Sequence, residues 1–74
     1  MRTYVRIYVI FDPARPHIAL DTSDTLEGIA TALAARPEPG LTVCVNHDGL
    51  TGSLDAREQS ELDARLHALR RTAG

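Results

Sequence analysis

The sequence is poor in several residue types, and each shortage narrows its chemistry. It contains one cysteine, Cys44, which excludes an internal disulfide framework. No apolar run approaches the roughly 20 residues that a membrane-spanning helix needs. Tryptophan is absent, and the 8 basic residues are all arginine. Because lysine is missing, lysine-based chemistry is excluded beyond the terminal amine.

What remains is the composition of an ordinary folded domain. The chain has 74 residues, of which 43% are hydrophobic and 24% charged, with a net charge of −2. These values predict a single soluble α+β domain over residues 1–74, and the lone thiol favours the reducing cytoplasm. The slight acidity disfavours a general phosphate binder. The arginine bias, with abundant alanine, predicts the GC-rich genome of a bacterium or a phage.

Residues 3–11 predict the first strand, because β-branched and aromatic side chains dominate them. Side chains alternate between the two faces of a strand, so odd and even positions separate. The odd positions predict the core face: Val5, Ile7, Val9 and Phe11. The even positions predict an uncovered face: Arg2, Tyr4, Arg6, Tyr8 and Ile10.

A stiff connection over residues 12–16 leads to a second strand at 17–21, which completes a β-hairpin. Residues 22–36 then predict an amphipathic helix that ends before a Pro- and Gly-rich stretch. Asp24 followed by Glu27 is typical of a capping box. Gly28 in the first turns has two interpretations, either a close contact with the sheet or a helix that is not optimised.

A third strand is predicted at 41–46, with Leu41, Val43 and Val45 on one face. The Asp48-Gly49 pair predicts a turn, followed by an optional short return strand at 50–51. The last segment, 54–71, predicts a second helix with an apolar stripe of Leu62, Leu66 and Leu69. The order is therefore β-β-α-β-(β)-α, a sheet of three to four strands with the first strand central. Both helices are expected on the same face of the sheet.

Residues 3–51 resemble the ubiquitin-like β-grasp pattern. The segment that opens its helix has the form S/T-D-T-Φ-x-x-Φ, where Φ is apolar, and the matching residues are Ser23, Asp24, Thr25, Leu26 and Ile29. The resemblance implies a small module that works through its surface. The chain departs from the pattern at its end, where a helical segment replaces the closing strand and no Gly-Gly terminus is present.

The even face of the first strand is the predicted partner-binding site, through Tyr4, Arg6, Tyr8 and Ile10. Tyrosine and arginine are enriched at interface hot spots. A solvated sheet face is the alternative, since antiparallel sheets often have one. Arginines interleaved with aromatic rings also suit single-stranded nucleic acid, although no RNP-like motif accompanies them.

The other candidate sites have weaker support in the sequence. Cys44 and His47 give only a C-x-x-H spacing, which is a weak zinc signal, so neither a metal nor another cofactor is expected. We therefore predict a non-catalytic protein-interaction module that associates with itself, through an open sheet face or a sheet edge. A nucleic-acid-binding or regulatory module that uses the same face is the alternative. An enzyme subunit with a site between chains comes third.

Overall fold

In the computed structural model, residues 6–73 are described and form an antiparallel sheet covered on one side by two helices. The strands are β1 (Arg6–Phe11), β2 (Asp21–Ser23), β3 (Thr42–His47) and β4 (Leu50–Ser53). The helices are α1 (Leu26–Ala34) and α2 (Ala56–Ala73). The sheet order β2-β1-β3-β4 confirms the α+β class, the central first strand and the short return strand.

The connection between β1 and β2 is longer than predicted, and β2 begins only at Asp21. Two consecutive turns occupy this connection. The Arg15 amide donates to the Asp12 carbonyl at 2.8 Å, and the Ile18 amide donates to the Arg15 carbonyl at 3.1 Å. Backbone groups engaged in these turns do not pair with β1. Backbone bonding to β1 therefore starts at Leu20, whose amide donates to a β1 carbonyl at 2.9 Å.

Helix α1 begins at Leu26, later than the predicted residue 22, because β2 continues to Ser23. The N-cap is Thr25 rather than the predicted Asp24, and its hydroxyl accepts from the Gly28 amide at 3.0 Å. A Cβ atom on Gly28 would lie 2.2 Å from the Ser23 hydroxyl oxygen. This close approach supports the first interpretation of the glycine, a tight contact between α1 and the sheet.

The core lies between the sheet and the helices. Its nine buried residues are Tyr8, Ile10, Ile29, Ala30, Leu33, Val43, Val45, Leu62 and Leu66. The β1 members occupy even positions, so the prediction of a buried odd face is wrong for Ile7, Val9 and Phe11, while Val5 lies outside the described residues. The register explains why: Tyr8 is paired with Val45, and Ile10 with Val43. Directly opposed residues share a face, so the valines of β3 select the even positions of β1.

The second helix follows its predicted pattern. Its leucine stripe faces the core, with Leu62 and Leu66 buried and Leu69 partly buried. The carboxylate of Asp55 accepts from the Glu58 amide at 2.7 Å and so caps the helix start. No helix in the described part of the chain is long and apolar enough to cross a membrane.

Candidate interaction surface

The residues predicted to bind a partner do not form an open surface. Tyr8 is only 9% exposed and Ile10 is fully buried. The prediction of this face as a contact surface is therefore wrong for both, since a partner cannot reach side chains that pack beneath the helices. Arg6 is exposed at the edge of the same face. Tyr4 lies outside the described residues.

Instead, Arg6 and Tyr8 form a cluster with Glu58, a residue in the first turn of α2. The Tyr8 hydroxyl donates to Glu58 Oε2 at 2.7 Å, and Arg6 pairs with Glu58 Oε1. The Arg6 guanidinium lies 5.7 Å from the centre of the Tyr8 ring. Burial, and then the hydrogen bond to Glu58, raise the pKa of the Tyr8 phenol above its ordinary value of 10.0. The cluster ties α2 to β1 and so has a structural role.

The uncovered side of the sheet carries the odd positions of β1. We call it the open face, and its strand residues are Ile7, Val9, Phe11, Thr22, Thr42, Cys44, Asn46, Thr51 and Ser53. Val9 lies at its centre, opposite Thr22 on one side and Cys44 on the other. The apolar residues of β1 are half-buried between their strand neighbours, with no described helix over them.

The loop between β1 and β2 forms one wall of a groove on the open face. The groove has a volume of about 570 Å³. Its lining includes the apolar Val9, Phe11 and Ile18 together with the polar Asn46 and Ser53. Ile18 is 41% exposed, although it is a large hydrophobic residue. Apolar area is therefore continuous from the central strand onto the loop wall.

The strand positions of the open face include no aspartate, glutamate or arginine. This contrasts with a chain in which 24% of the residues are charged. When one face of an antiparallel sheet is in water, that face normally carries polar and charged side chains. The open face thus shares with the centre of an interface its depletion of charged residues, although five of its nine strand residues are polar.

Cys44 lies half-buried on the open face, and burial raises the pKa of its thiol above the ordinary value of 9.0. The thiol is therefore protonated at neutral pH, which is the unreactive form. His47 lies on the opposite side of the sheet, paired with Arg6, so it does not join Cys44 in a site. Among residues 6–73, no three His, Cys, Asp or Glu side chains are grouped to hold a metal ion.

Comparison with known proteins assigns the chain neither to a family nor to a known fold. No protein-family model matches the chain, and neither a curated protein nor a solved structure matches it. The resemblance of residues 3–51 to the β-grasp pattern therefore stays a prediction.

Proposed function

We propose that this chain is a non-catalytic protein-interaction module that binds through the open face, and that a second copy of the chain is one of its partners. The observation that carries the proposal is the uncharged, uncovered face of the sheet, with Ile7, Val9 and Phe11 along its central strand. Burial of apolar surface is the main favourable contribution to most protein association.

A second copy suits this face because the face is compatible with itself. In a two-fold dimer the same patch meets its equivalent, so like charges on the patch would repel. The strand positions of the open face carry none. Two such sheets pack about 10 Å apart with interdigitating side chains, as the two sheets of a β-sandwich do. The uncovered apolar residues of β1 would then form the centre of the interface.

The size of the face sets the expected strength. Four strands spaced about 4.8 Å apart, of which β1 and β3 are about 20 Å long and β2 and β4 about 10–14 Å, give a footprint of roughly 300 Å² per copy. A standard protein interface buries about 800 Å² per partner. The face of one protomer is therefore less than half of what a stable complex uses, and we expect association that depends on protein concentration.

Nucleic acid is a poorer partner for the same surface. Binding to a phosphate backbone requires cationic side chains, and single strands also need stacking rings. The open-face strands offer only one ring, Phe11, and no arginine. Arg6 lies on the other side of the sheet, where Glu58 neutralises it.

The test is the solution mass, measured by light scattering after size exclusion over a wide concentration series. We expect the mass to rise above that of the 8.1 kDa protomer as concentration increases. Val9→Asp places a charge at the centre of the open face and should lower the mass reached at each concentration, because the association that depends on this face is lost. The matched control is Ser60→Asp, which adds the same charge at an exposed position of α2 and should associate like the wild type.

Val9→Thr is the second variant, since it nearly conserves shape and should remain folded while it weakens association less. Circular dichroism establishes that each variant is folded. A wild-type chain that stays monomeric at every concentration would overturn self-association through this face. The same conclusion would follow if Val9→Asp and Ser60→Asp associated equally.

A further inference from the structure

The outer edge of β4 is a second uncovered feature. β4 ends the sheet, and all four of its residues are exposed. Natural edge strands are usually protected by charged residues, proline, bulges or a covering element. The sequence of β4, Leu-Thr-Gly-Ser, includes neither charge nor proline. The opposite edge differs, because β2 is only three residues long and begins with a charged residue, Asp21.

The hairpin geometry fixes which backbone groups of β4 point outward. Asp48 and Gly49 both have positive φ, 53° and 84°, as in the two-residue turn that joins His47 to Leu50. In such a turn, the residues that flank it share a hydrogen bond. Hydrogen-bonded and non-hydrogen-bonded pairs then alternate along an antiparallel ladder. The amide and carbonyl groups of Thr51 and Ser53 therefore face away from β3.

Gly52, between these two residues, has no explanation within the protomer. Its φ does not lie in the left-handed region, and a Cβ atom there would meet nothing within 4 Å. A glycine inside a strand weakens it, and it often marks a place where another backbone approaches closely. Because Gly52 is paired with the core-facing Val45, its empty Cβ position lies on the helix side of the sheet, where no described group requires a glycine.

Leu50 also lacks a covering group, and its exposed fraction of 77% is the highest among the large hydrophobic residues described. It is paired with His47, so it belongs to the helix side of the sheet. Its exposure means that the helices do not extend over β4. A partner at this edge must therefore supply apolar surface on the helix side as well as backbone groups.

We propose that two copies of the chain pair antiparallel through β4, in a register centred on Gly52. Thr51 then exchanges backbone hydrogen bonds with the partner's Ser53, and Gly52 lies opposite the partner's Gly52. In this register Leu50 is opposite the partner's Leu54, an apolar residue that directly follows β4. The second copy satisfies the outward backbone groups, covers the exposed leucine and uses the strand glycine at its two-fold axis.

Pairing through β4 also enlarges the surface described above. Two sheets of four strands join into one, and both open faces lie on the same side of it. The joined face measures roughly 600 Å², twice the footprint of one copy, which approaches the area of about 800 Å² that each partner contributes to a standard interface. This last consequence rests on the proposed function of the open face, whereas the pairing itself does not.

Disulfide cross-linking tests the register directly. In a Cys44→Ser background, Gly52→Cys brings two thiols together across the axis, since Cα atoms of such a pair are about 4.5 Å apart. We expect a covalent dimer under mild oxidation. Leu50→Cys in the same background is the matched control. Its two thiol-bearing residues would be about 14 Å apart along the strands, which is beyond disulfide reach, although position 50 is highly exposed.

Cross-linking of neither variant, or of both to the same extent, would overturn the β4 register. Adding Thr51→Pro to the Gly52→Cys variant should suppress cross-linking, because it removes an outward amide while leaving the β3–β4 ladder intact. Unchanged cross-linking would also count against the proposal. Adding Val9→Asp instead should leave the cross-link in place. Failure of the open-face proposal is thereby separated from failure of the edge pairing.

Discussion

Ile7 and Ile10 allow the assignment of the buried face to be tested with one chemical change made twice. Both isoleucines belong to β1, and they lie on opposite sides of the sheet. Ile10 is fully buried in the core, whereas Ile7 is half-buried on the open face. Replacing each with alanine removes the same atoms from the same strand. The difference in unfolding free energy therefore reports which face carries the core.

The expected difference follows from burial. Ile→Ala removes three carbon atoms, each contributing about 0.8 kcal/mol when fully buried, or about 2.4 kcal/mol together. At Ile10 the surrounding side chains leave a cavity, so the total cost should be about 2–5 kcal/mol. At Ile7 water fills the space, and the cost should be about 1 kcal/mol. A domain of 74 residues has roughly 4–11 kcal/mol of stability in all, so Ile10→Ala should remove a large part of it.

Urea denaturation followed by circular dichroism measures both values. The protein is kept dilute, so that association through the open face does not add to the stability of the wild type. We expect the midpoint to fall strongly for Ile10→Ala and slightly for Ile7→Ala, with similar slopes. Equal losses, or a larger loss for Ile7→Ala, would refute the assignment of the even face of β1 to the core.

Three further outcomes are expected. Gly28→Ala should destabilise the chain by about 1 kcal/mol or more in thermal unfolding, despite alanine's higher helix propensity, because its Cβ meets the Ser23 hydroxyl; a stabilised variant would contradict the close contact. Glu58→Ala should cost about 1–2 kcal/mol in urea, mostly through the hydrogen bond from Tyr8, because Arg6 is 46% exposed and its ion pair is screened; loss of Arg6 alone should matter less. Folding raises the pKa values of Tyr8 and Cys44. Their contribution to the free energy of unfolding is therefore intact below pH 9.0 and is lost as the pH rises through the raised values. A urea midpoint that stays constant across alkaline buffers would argue against this.

Local signals in the sequence predicted much of the fold. The leucine stripe of α2, the Asp48-Gly49 turn and the alternation of β3 each depend on neighbours within a few residues. These signals place elements correctly even when their boundaries shift. The start of α1 was misplaced because several capping residues follow one another before it, and pairing with β1 takes the first of them into β2.

The buried face of β1 was not predictable in this way, because both of its faces are apolar. The odd face offers Ile7, Val9 and Phe11, and the even face offers Tyr8 and Ile10. A count of apolar side chains therefore favours the odd face as the buried one. The register with β3 decides otherwise, and a slip of a single residue would reverse every side chain. No local pattern encodes that register, since β1 and β3 are joined through a second strand and a helix.

The same limit concealed the role of Glu58. Its first-turn position predicts a favourable interaction with the helix dipole, which accounts for the residue without any tertiary partner. Only the docking of α2 against β1 brings its carboxylate to the Tyr8 hydroxyl and to Arg6. Two residues that looked like an exposed contact pair are thus held by a third that is distant in sequence. A charged or polar group on a mixed strand face therefore need not mark the solvent side.

Several features of the sheet do not contribute to the fold of one protomer, and together they favour association more strongly than each does alone. With Tyr8 and Ile10 in the core, the apolar odd positions of β1 are not needed to stabilise a single protomer. Gly52 and the exposed Leu50 do not stabilise it either. These features lie on adjoining parts of one sheet, the open face and the β4 edge, and residues 51–53 line the groove that connects them. A second chain at the edge, and a partner across the enlarged face, would give each of these residues a function.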